Sequence, residues 1–221
     1  MNQENVIGIQ IKKHANFFMN YYSYVVSRDF GFAPNPFGRH CTLATCKPII
    51  RRNSGIGDWI FGITPKVKGV GNKLVFGMKV TEKVTFNEYW NSPHFQYKKP
   101  VLNGSLKQVY GDNIYYKDDN NVWFQADSHH SKENGEINFD NLNRDTKGQY
   151  VLISEHFFYF GATSVDIPFN LKSKFSIGIG QKKVDEEFAI QVIEWLEKNY
   201  QTGLIDLPKL FTNFQRYDGV S

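Results

Sequence analysis

The hydrophobic positions of this chain fall into short runs that glycine, proline and polar residues separate. Bounded runs rich in aromatic and β-branched residues are typical of β-strands. We therefore predict strands at residues 20–27, 57–63 and 72–84, the last two forming a hairpin. Residues 108–131 predict two short strands around the turn "DDNN". Residues 149–161 predict either a strand pair or one long bent strand.

One long helix is predicted over residues 185–201, "DEEFAIQVIEWLEKNYQ". Acidic residues fill its first turn, where they interact favourably with the helix dipole. Its apolar residues recur at the spacing of one helix face, which would pack against the rest of the protein. That face consists of Phe188, Val192, Trp195 and Leu196.

Two shorter helices are also predicted. Thr85 stands three residues before Glu88, the spacing of a capping box, in which each side chain bonds to the backbone N–H of the other residue. A helix should therefore begin there and stop at Pro93. Residues 206–214 open with an aspartate that can cap a helix and a proline that a first turn tolerates. Residues 135–148 predict a loop.

The length of 221 residues favours one domain over two. We predict an α+β domain over residues 1–221, with residues 1–19 as an N-terminal extension and residues 162–221 as a C-terminal helical elaboration. Aromatic residues make up 16% of the chain, and such rings fill cores or stack on nucleobases. The net charge of +4 permits binding of a polyanion, but the chain lacks the dense basic tracts of dedicated duplex-DNA binders.

The sequence shows no sign of membrane insertion or export. No apolar run approaches membrane-spanning length, and the N-terminus has no apolar segment of the signal-peptide type. We therefore expect a cytoplasmic protein with no membrane partner. In that compartment the two cysteines, Cys41 and Cys46, are expected to be reduced thiols rather than a disulfide.

Residues 28–52, "RDFGFAPNPFGRHCTLATCKPIIRR", combine prolines and glycines with many polar side chains. Proline restricts the backbone, so such a loop can hold polar groups in fixed positions. We predict that this loop faces a ligand, with guanidinium groups placed to bind phosphate. The alternative is a set of solvated surface charges. The candidate ligand-binding residues of this loop are Arg28, Asn35, Lys47 and Arg51.

The largest group of candidate residues lies within 108–131. A glutamine can read a base edge, and a histidine can transfer protons or be oriented by a carboxylate. Strand alternation would place Gln125, Asp127 and His129 on one side and His130 on the other. The alternative is a solvated loop without a functional role. The catalytic candidates are Asp127, His129 and His130, and the ligand-binding candidates are Asp112, Asn113, Trp123 and Gln125.

Asp58 and Trp59 follow a glycine at the start of a predicted strand. Glycine lets the backbone approach a ligand closely, and Trp59 could then offer a face for base stacking. The simpler interpretation is that Asp58 ends a turn and Trp59 lies in the core.

Several established site motifs are missing from the sequence. It contains no paired-cysteine zinc motif, no P-loop and no GxSxG nucleophile motif. Neither cysteine has an identifiable base close to it in the local sequence. The spacing of His40, Cys41 and Cys46 leaves a mixed metal site conceivable but disfavours it. We therefore predict no metal site and leave any cofactor open.

Seven segments resemble a known family when they are taken together and in order over residues 21–161. They are "YSYVVSRDFGFAPNPF", "CTLATCKPIIRR", "GDWIFGI", "KLVFGMKVTEKVTFNEYW", "YGDNIYY", "WFQADSHHS" and "VLISEHFFYFG". The family is nucleotide modification associated domain 2 of bacterial and phage proteins. The resemblance implies a context, DNA base modification, which was proposed for the family from genomic association, and it implies no particular reaction.

A shorter similarity concerns the fold. The run "GDWIFGI", "KLVFGMKVTE" and "FNEYW" is similar to the core of PUA-like barrels of the ASCH and EVE type. This resemblance implies a small PUA-like β-barrel, mixed or antiparallel, with flanking helices. Such a barrel would present a pocket of the size of a base.

Three hypotheses for the function follow. The protein binds a nucleotide or nucleic acid carrying a modified base, in a DNA-modification or phage-defence context, possible partners being DNA-modification enzymes. Alternatively, it is an enzyme that acts on such a nucleotide through Asp127 and His129, or it is a scaffold subunit without a ligand. We expect the ligand between loop 28–52 and the segment "QADSHH". The identity of the base, and whether it is free or in a polymer, are left open.

Overall fold

The computed structural model describes residues 19–66, 73–168, 171 and 182–219. Nearly all of the expected N-terminal extension, residues 1–19, therefore lies outside the described residues. The described part has strands and helices that alternate along the chain, which confirms the α+β class. None of its helices is both long enough and apolar enough to cross a membrane.

Twelve strands are found within the described residues, and most are short. They are β1 (Tyr21–Val25), β2 (Cys41–Leu43), β3 (Trp59–Ile63), β4 (Lys73–Lys79), β5 (Glu82–Thr85), β6 (Tyr115–Lys117), β7 (Trp123–Gln125), β8 (Tyr150–Ser154), β9 (His156–Tyr159), β10 (Val165–Asp166), β11 (Lys182–Lys183) and β12 (Gly203–Leu204).

Five α-helices connect or cover these strands in the described part of the chain. They are α1 (Pro48–Asn53), α2 (Phe86–Asn91), α3 (Leu106–Val109), α4 (Phe139–Thr146) and α5 (Glu186–Asn199). Short 3-10 helices cover Pro93–Lys98 and Gly161–Thr163. The predicted capping box is confirmed, because Thr85 and Glu88 each accept a hydrogen bond from the backbone N–H of the other.

The strands build three sheets. The largest has seven strands in the order β11-β1-β3-β4-β9-β12, with β10 paired to β4. A second sheet has the order β2-β8-β5, and β6 and β7 form the predicted hairpin. The large sheet is open at β11 and β12, so the described residues do not close into a barrel, and the expected PUA-like barrel is not confirmed.

The core consists of layers, because successive side chains of a strand point to opposite faces of its sheet. On one face of the large sheet, Trp59 and Phe61 of β3 pack with α5. On the other face, Ile60 packs with Leu43 of β2 and Leu152 of β8. A third cluster lies beyond the small sheet and involves α2, β6 and α4. The small sheet is therefore covered on both faces.

Helix α5 was predicted correctly. Asp185 accepts a hydrogen bond from the Phe188 N–H and caps the helix, as its place before the acidic first turn suggests. Phe188, Val192 and Leu196 are fully buried against the large sheet. Trp195 differs, because it is only partly buried and packs its edge against Tyr200.

Two predicted strands each proved to be two strands in different sheets. Residues 72–84 contain β4, which pairs with β3 as predicted, and β5, which pairs with β8. Residues 149–161 contain β8 of the small sheet and β9 of the large sheet, so this run is not a hairpin. Hydrophobic alternation continues across both junctions because the sheets lie on either side of one shared core.

Three local predictions were wrong. Residues 28–52 are not loop throughout, since they contain β2 and α1. Residues 135–148 contain α4, whose buried face includes the polar residues Asn141 and Asp145, so hydrophobic periodicity could not reveal it. Residues 206–214 form turns instead of a helix, because their backbone bonds to other parts of the chain, for example Leu210 to the carbonyl of Asp29.

Candidate functional site

A cavity of about 670 Å³ opens where β1 ends. Five separate parts of the chain form its walls: the end of β1 with the loop after it, the β2–α1 connection, the turn at 129–130, helix α4 and the C-terminal tail. Its lining residues are Tyr24, Val25, Val26, Ser27, Arg28, Phe30, Phe32, Ala33, Cys46, Lys47, Pro48, Ile49, His129, His130, Arg144 and Tyr217.

Cys46 occupies a strained position at the cavity wall. Its backbone φ is 54°, and the φ of Lys47 is 37°, so two successive residues that are not glycine adopt the left-handed region. Such a conformation persists only where surrounding contacts enforce it. The Cys46 N–H donates to Asp145 Oδ1 at 2.9 Å, and the Arg51 Nε donates to the Cys46 carbonyl at 2.8 Å.

His130 links this cysteine to a buried carboxylate. Its Nε2 lies 4.0 Å from Cys46 Sγ, and its Nδ1 lies 2.8 Å from Asp145 Oδ2. The Tyr115 hydroxyl donates to the same carboxylate oxygen at 2.9 Å. Cys46, His130 and Asp145 therefore form a continuous row, although they belong to three different elements: the β2–α1 connection, the turn at 129–130 and helix α4.

The charges in this row stabilise one another. Burial alone would lower the pKa of His130, but the charge and hydrogen bond of Asp145 outweigh burial and raise that pKa to about 9. Burial alone would raise the pKa of Asp145, but the charges of His130, Arg51 and Arg144 hold it below its ordinary value. At neutral pH the row therefore contains an imidazolium and a carboxylate.

Two predicted residues hold the backbone around Cys46, His130 and Asp145 by hydrogen bonds. Arg51 is fully buried, and its guanidinium donates to the carbonyls of Cys46, Asp145 and Tyr150. Gln125 donates to the His130 carbonyl at 2.9 Å and accepts from the Asn138 N–H at 2.7 Å. Both side chains fix the backbone of the site instead of facing its cavity.

His129 lines the cavity in a different state from His130. Its Nδ1 is next to the Gln215 carbonyl and therefore carries the proton. Its ring packs against Phe30 and Phe32, with centroid distances of 5.0 and 4.9 Å. Burial, followed by the charge of His130, lowers the pKa of His129 to about 3. His129 is therefore neutral at neutral pH.

The C-terminal tail closes the histidine side of the cavity. The Tyr217 N–H donates to the His129 carbonyl at 2.7 Å. Arg216 donates to the Asp127 carboxylate and to the Ser128 carbonyl. These contacts place the Tyr217 ring next to the guanidinium groups of two cavity residues, with Arg28 at 5.2 Å and Arg144 at 5.3 Å from its centroid.

The comparison with protein families agrees with the sequence resemblance. The profile of nucleotide modification associated domain 2 matches residues 18–215. The chain belongs to this family. Neither the curated proteins nor the solved structures contain one that matches it. The match extends beyond residue 161 and ends at residue 215, just before Arg216 and Tyr217.

In this nucleotide modification associated domain, four of the predicted site residues line the cavity: Arg28, Lys47, His129 and His130. The loop 28–52 and the segment at 125–130 do meet there. Strand alternation fails after Gln125, where β7 ends and a turn begins, so His129 and His130 both reach the cavity. Asp127 turns towards Arg216 and Ser131 instead of a histidine.

Three further predicted residues of the domain support the fold from behind the cavity. Asn35 and Asp112 fix loop 28–52, and Asn113 bonds to the backbone of α2 and of the 3-10 helix that follows it. Asn35 donates to the Tyr110 carbonyl and accepts from the buried ammonium of Lys98 at 2.6 Å. Asp112 accepts from Thr42 and Tyr89, and Asn113 donates to the carbonyls of Tyr89 and Phe95. Asn35, Asp112 and Asn113 are fully buried and lie outside the cavity lining.

The remaining predicted residues take part in turns and in core packing. Asp58 accepts from the backbone N–H groups of Asn20 and Gly55, as the turn interpretation expects. Trp59 is buried in the core next to α5. Trp123 packs edge-to-face on Phe86 with a centroid distance of 5.5 Å. None of Asp58, Trp59 and Trp123 lines the cavity.

Sequence reasoning missed Cys46, Asp145, Arg144 and Tyr217 as site residues. The predicted loop at 135–148 concealed the helix that carries Arg144 and Asp145. A signal for that helix existed in Asn138, whose side chain accepts from the N–H groups of Asp140 and Asn141. In the described residues, no three metal-ligating side chains come together as a metal site. His40 instead contacts Tyr97 and Glu155.

Proposed function

We propose that the cavity binds a nucleobase or nucleotide whose base carries a modification. One observation carries this proposal: aromatic rings and cationic side chains surround the same space. The rings belong to Tyr24, Phe30, Phe32 and Tyr217, and the cations to Arg28, Lys47 and Arg144.

The dimensions and chemistry of the cavity support a nucleotide-sized ligand. Its volume of about 670 Å³ lies inside the range of roughly 300–1,000 Å³ that is typical of small-molecule sites. A nucleobase can stack on any aromatic ring that has one face open to the cavity. Guanidinium groups bind phosphate oxygens in a forked arrangement. Arg28 and Arg144, both beside Tyr217, therefore place positive charge near a ring on which a base could stack.

Membership of the family supports a role in nucleotide modification. Within that context we propose that the protein recognises the modified base, in DNA-modification or phage-defence systems, with DNA-modification enzymes as partners. The net charge of +4 is too small to imply tight binding of a long duplex. A single nucleotide or a short unpaired strand fits the cavity better.

The predicted alternative, an enzyme acting through Asp127 and His129, has less support. Asp127 forms an ion pair with Arg216, and His129 has a strongly lowered pKa and an aromatic environment. Neither group is arranged to accept a proton from the other. A scaffold without a ligand is tested by the same experiment as binding.

Isothermal titration calorimetry with canonical and modified deoxynucleoside monophosphates tests the proposal. Tyr217→Ala should weaken binding about 5-fold to 100-fold, the loss expected for one base–aromatic stack. Tyr116→Ala is the matched control, because Tyr116 is a partly exposed ring that stacks on Trp90 outside the cavity. Binding of no nucleotide in the panel, or equal losses in both variants, would refute the proposal.

The phosphate contact has its own pair of variants. Arg28→Gln should weaken a nucleotide more than the corresponding nucleoside, since only the nucleotide carries phosphate. Arg39→Gln is the control, because Arg39 is an exposed arginine that pairs with Glu155. Equal effects on nucleotide and nucleoside would show that Arg28 does not contact the phosphate.

A further inference from the structure

We propose that Cys46, His130 and Asp145 form a catalytic triad in which the Cys46 thiolate attacks the carbonyl carbon of an amide or ester group on the bound ligand. The inference rests on the proposed function only for the identity of that ligand. It adds hydrolysis of an acyl group to the binding of a modified base.

The geometry contains the three roles that such chemistry needs. A nucleophile, a base in contact with it and a third group that orients the base are the general signature of covalent catalysis. Cys46 Sγ lies 4.0 Å from His130 Nε2, and His130 Nδ1 lies 2.8 Å from Asp145 Oδ2. The sulfur contact is long, as such contacts often are before a substrate binds.

Accessibility separates the three groups as the proposal requires. Cys46 is partly exposed and lines the cavity, whereas Asp145 is fully buried behind His130. The other cysteine of the chain, Cys41, lies in the core, and burial raises the pKa of its thiol. Cys46 is therefore the thiol that a ligand can reach.

The backbone at Cys46 gives an independent argument. A left-handed conformation is unfavourable for a residue other than glycine, and Cys46 and Lys47 adopt it in succession. The structure maintains this conformation with two buried charged side chains, those of Asp145 and Arg51. The same carboxylate thus holds the backbone of the nucleophile and the imidazole of its base. Strain that is held in this way is characteristic of functional sites.

His130 places a positive charge next to the Cys46 sulfur. The raised pKa of His130, about 9, makes its ring an imidazolium at neutral pH. An adjacent imidazolium stabilises a thiolate, which is the nucleophilic form of cysteine. Asp145 is a positioning residue, since it contacts His130 and the backbone of Cys46 but does not reach the cavity lining.

The reaction balances with water as the second reactant. The Cys46 thiolate forms a bond to the carbonyl carbon, and the bond from that carbon to nitrogen or oxygen breaks. His130 gives its proton to the departing amine or alcohol, which leaves a thioester on Cys46. His130 then takes a proton from water as the water oxygen attacks the thioester. The acid is released, and the thiolate and the imidazolium are restored.

Disulfide chemistry fits the site less well. A thiol that cycles through an intramolecular disulfide needs a second accessible thiol close to it. The chain contains two cysteines, and the second, Cys41, is fully buried in β2. The hydrolytic reaction requires only water and the residues already present.

The first test measures the reactivity of Cys46 towards iodoacetamide at pH 7, followed by peptide mass spectrometry. Native Cys46 should react faster than glutathione and about tenfold faster than Cys46 in His130→Asn. His94→Asn is the matched control, because His94 is an exposed histidine outside the cavity lining. The comparison with glutathione needs no variant and stands even if His130→Asn is poorly folded. Native Cys46 that reacts no faster than glutathione would overturn the proposal.

The second test uses p-nitrophenyl acetate as an ester probe. The native protein should release p-nitrophenolate in a burst and carry an acetyl group on Cys46, and Cys46→Ala should abolish both. The acetyl adduct should persist longer in His130→Asn, because water then lacks its base. The absence of a burst and of an adduct on Cys46 would contradict the triad.

These results can be separated from those on nucleotide binding. Nucleotide binding together with an unreactive Cys46 would refute the triad and leave the proposed function intact. A reactive Cys46 in a protein that binds no nucleotide would uphold the triad and refute the proposed function.

Discussion

The imidazole of His130 donates a 2.8 Å hydrogen bond to the carboxylate of Asp145, and neither side chain is more than 1% exposed. Removing two charges from water is costly, and their mutual attraction compensates only when the geometry is good and the remaining polar atoms are bonded. Here Asp145 also accepts from Tyr115 and from the Cys46 backbone. The candidate site is therefore part of the core, and its integrity depends on the fold.

The pKa values of the two adjacent histidines should be shifted in opposite directions from the ordinary histidine value. His130 should stay protonated through neutral pH and lose its proton near pH 9, because Asp145 stabilises its charged form. His129 should remain neutral down to about pH 3, because its charged form would be buried next to the His130 charge. Nitrogen-15 NMR of labelled histidine measures both values. Titration of both rings near 6.5, the ordinary histidine value, would contradict the arrangement.

The protein should therefore become less stable at alkaline pH, because His130 loses its proton there. Its pKa is higher in the folded than in the unfolded state, so its contribution is fully present below about pH 6.5 and is lost as pH rises through about 9. The free energy of unfolding of the native protein should fall by up to about 3 kcal/mol across that window. Urea titrations compare it with His130→Asn, which should lack this fall. A parallel pH dependence in the two proteins would assign the effect to other groups.

Asp145→Asn should destabilise the protein by roughly 3–5 kcal/mol, because it leaves the buried His130 without its counter-charge. Asp140→Asn on the same helix is the control, since Asp140 is exposed and its change should cost less than about 1 kcal/mol. Urea denaturation measures both values. Similar small losses in both variants would show that the buried pair contributes nothing particular.

Arg216→Ala should loosen the C-terminal tail. The variant loses the bonds to Asp127 and Ser128, so the Tyr217 N–H should exchange with solvent faster although it can still donate to the His129 carbonyl. Hydrogen exchange measured by NMR reports this amide directly. The N–H groups of β4, paired on both sides within the large sheet, should keep their protection. Unchanged exchange at Tyr217 would show that Arg216 does not anchor the tail.

Replacing the partly exposed Trp195 of α5 by alanine should cost less stability than replacing the buried Phe188. Phe188→Ala should cost roughly 3–5 kcal/mol, because Phe188 is fully buried against the large sheet. Trp195→Ala should cost less, about 1–2 kcal/mol, because Trp195 is only partly buried. Thermal or chemical unfolding measures the order of the two. A larger cost at Trp195 would contradict the packing of this helix.

Local patterns predicted much of the fold. The capping box at Thr85 and the amphipathic helix α5 depend on residues close in sequence, and both were found as predicted. The division of residues 72–84 and 149–161 between two sheets could not be predicted, because both sheets cover one core and their strands share the same alternation. The sequence pattern shows which side chains are buried but not which sheet a strand joins.

The site was predicted only in part for a related reason. Loop 28–52 and the two histidines were identified because unusual polar residues concentrate there. Asn35 and Asp112 were predicted as ligand-binding residues for the same reason, although they are buried. The sequence does not distinguish a polar side chain that faces a ligand from one that forms hydrogen bonds to a loop. Asp145 lies 99 residues after Cys46, and only the folded chain brings them together.

The measurement that tests the central claim most directly is a crystal structure of the protein with a modified deoxynucleoside monophosphate that calorimetry shows to bind. The account predicts the base in the cavity, stacked on Tyr217, and the phosphate beside Arg28 or Lys47. A nucleotide bound elsewhere on the protein, with the cavity free of ligand, would contradict it.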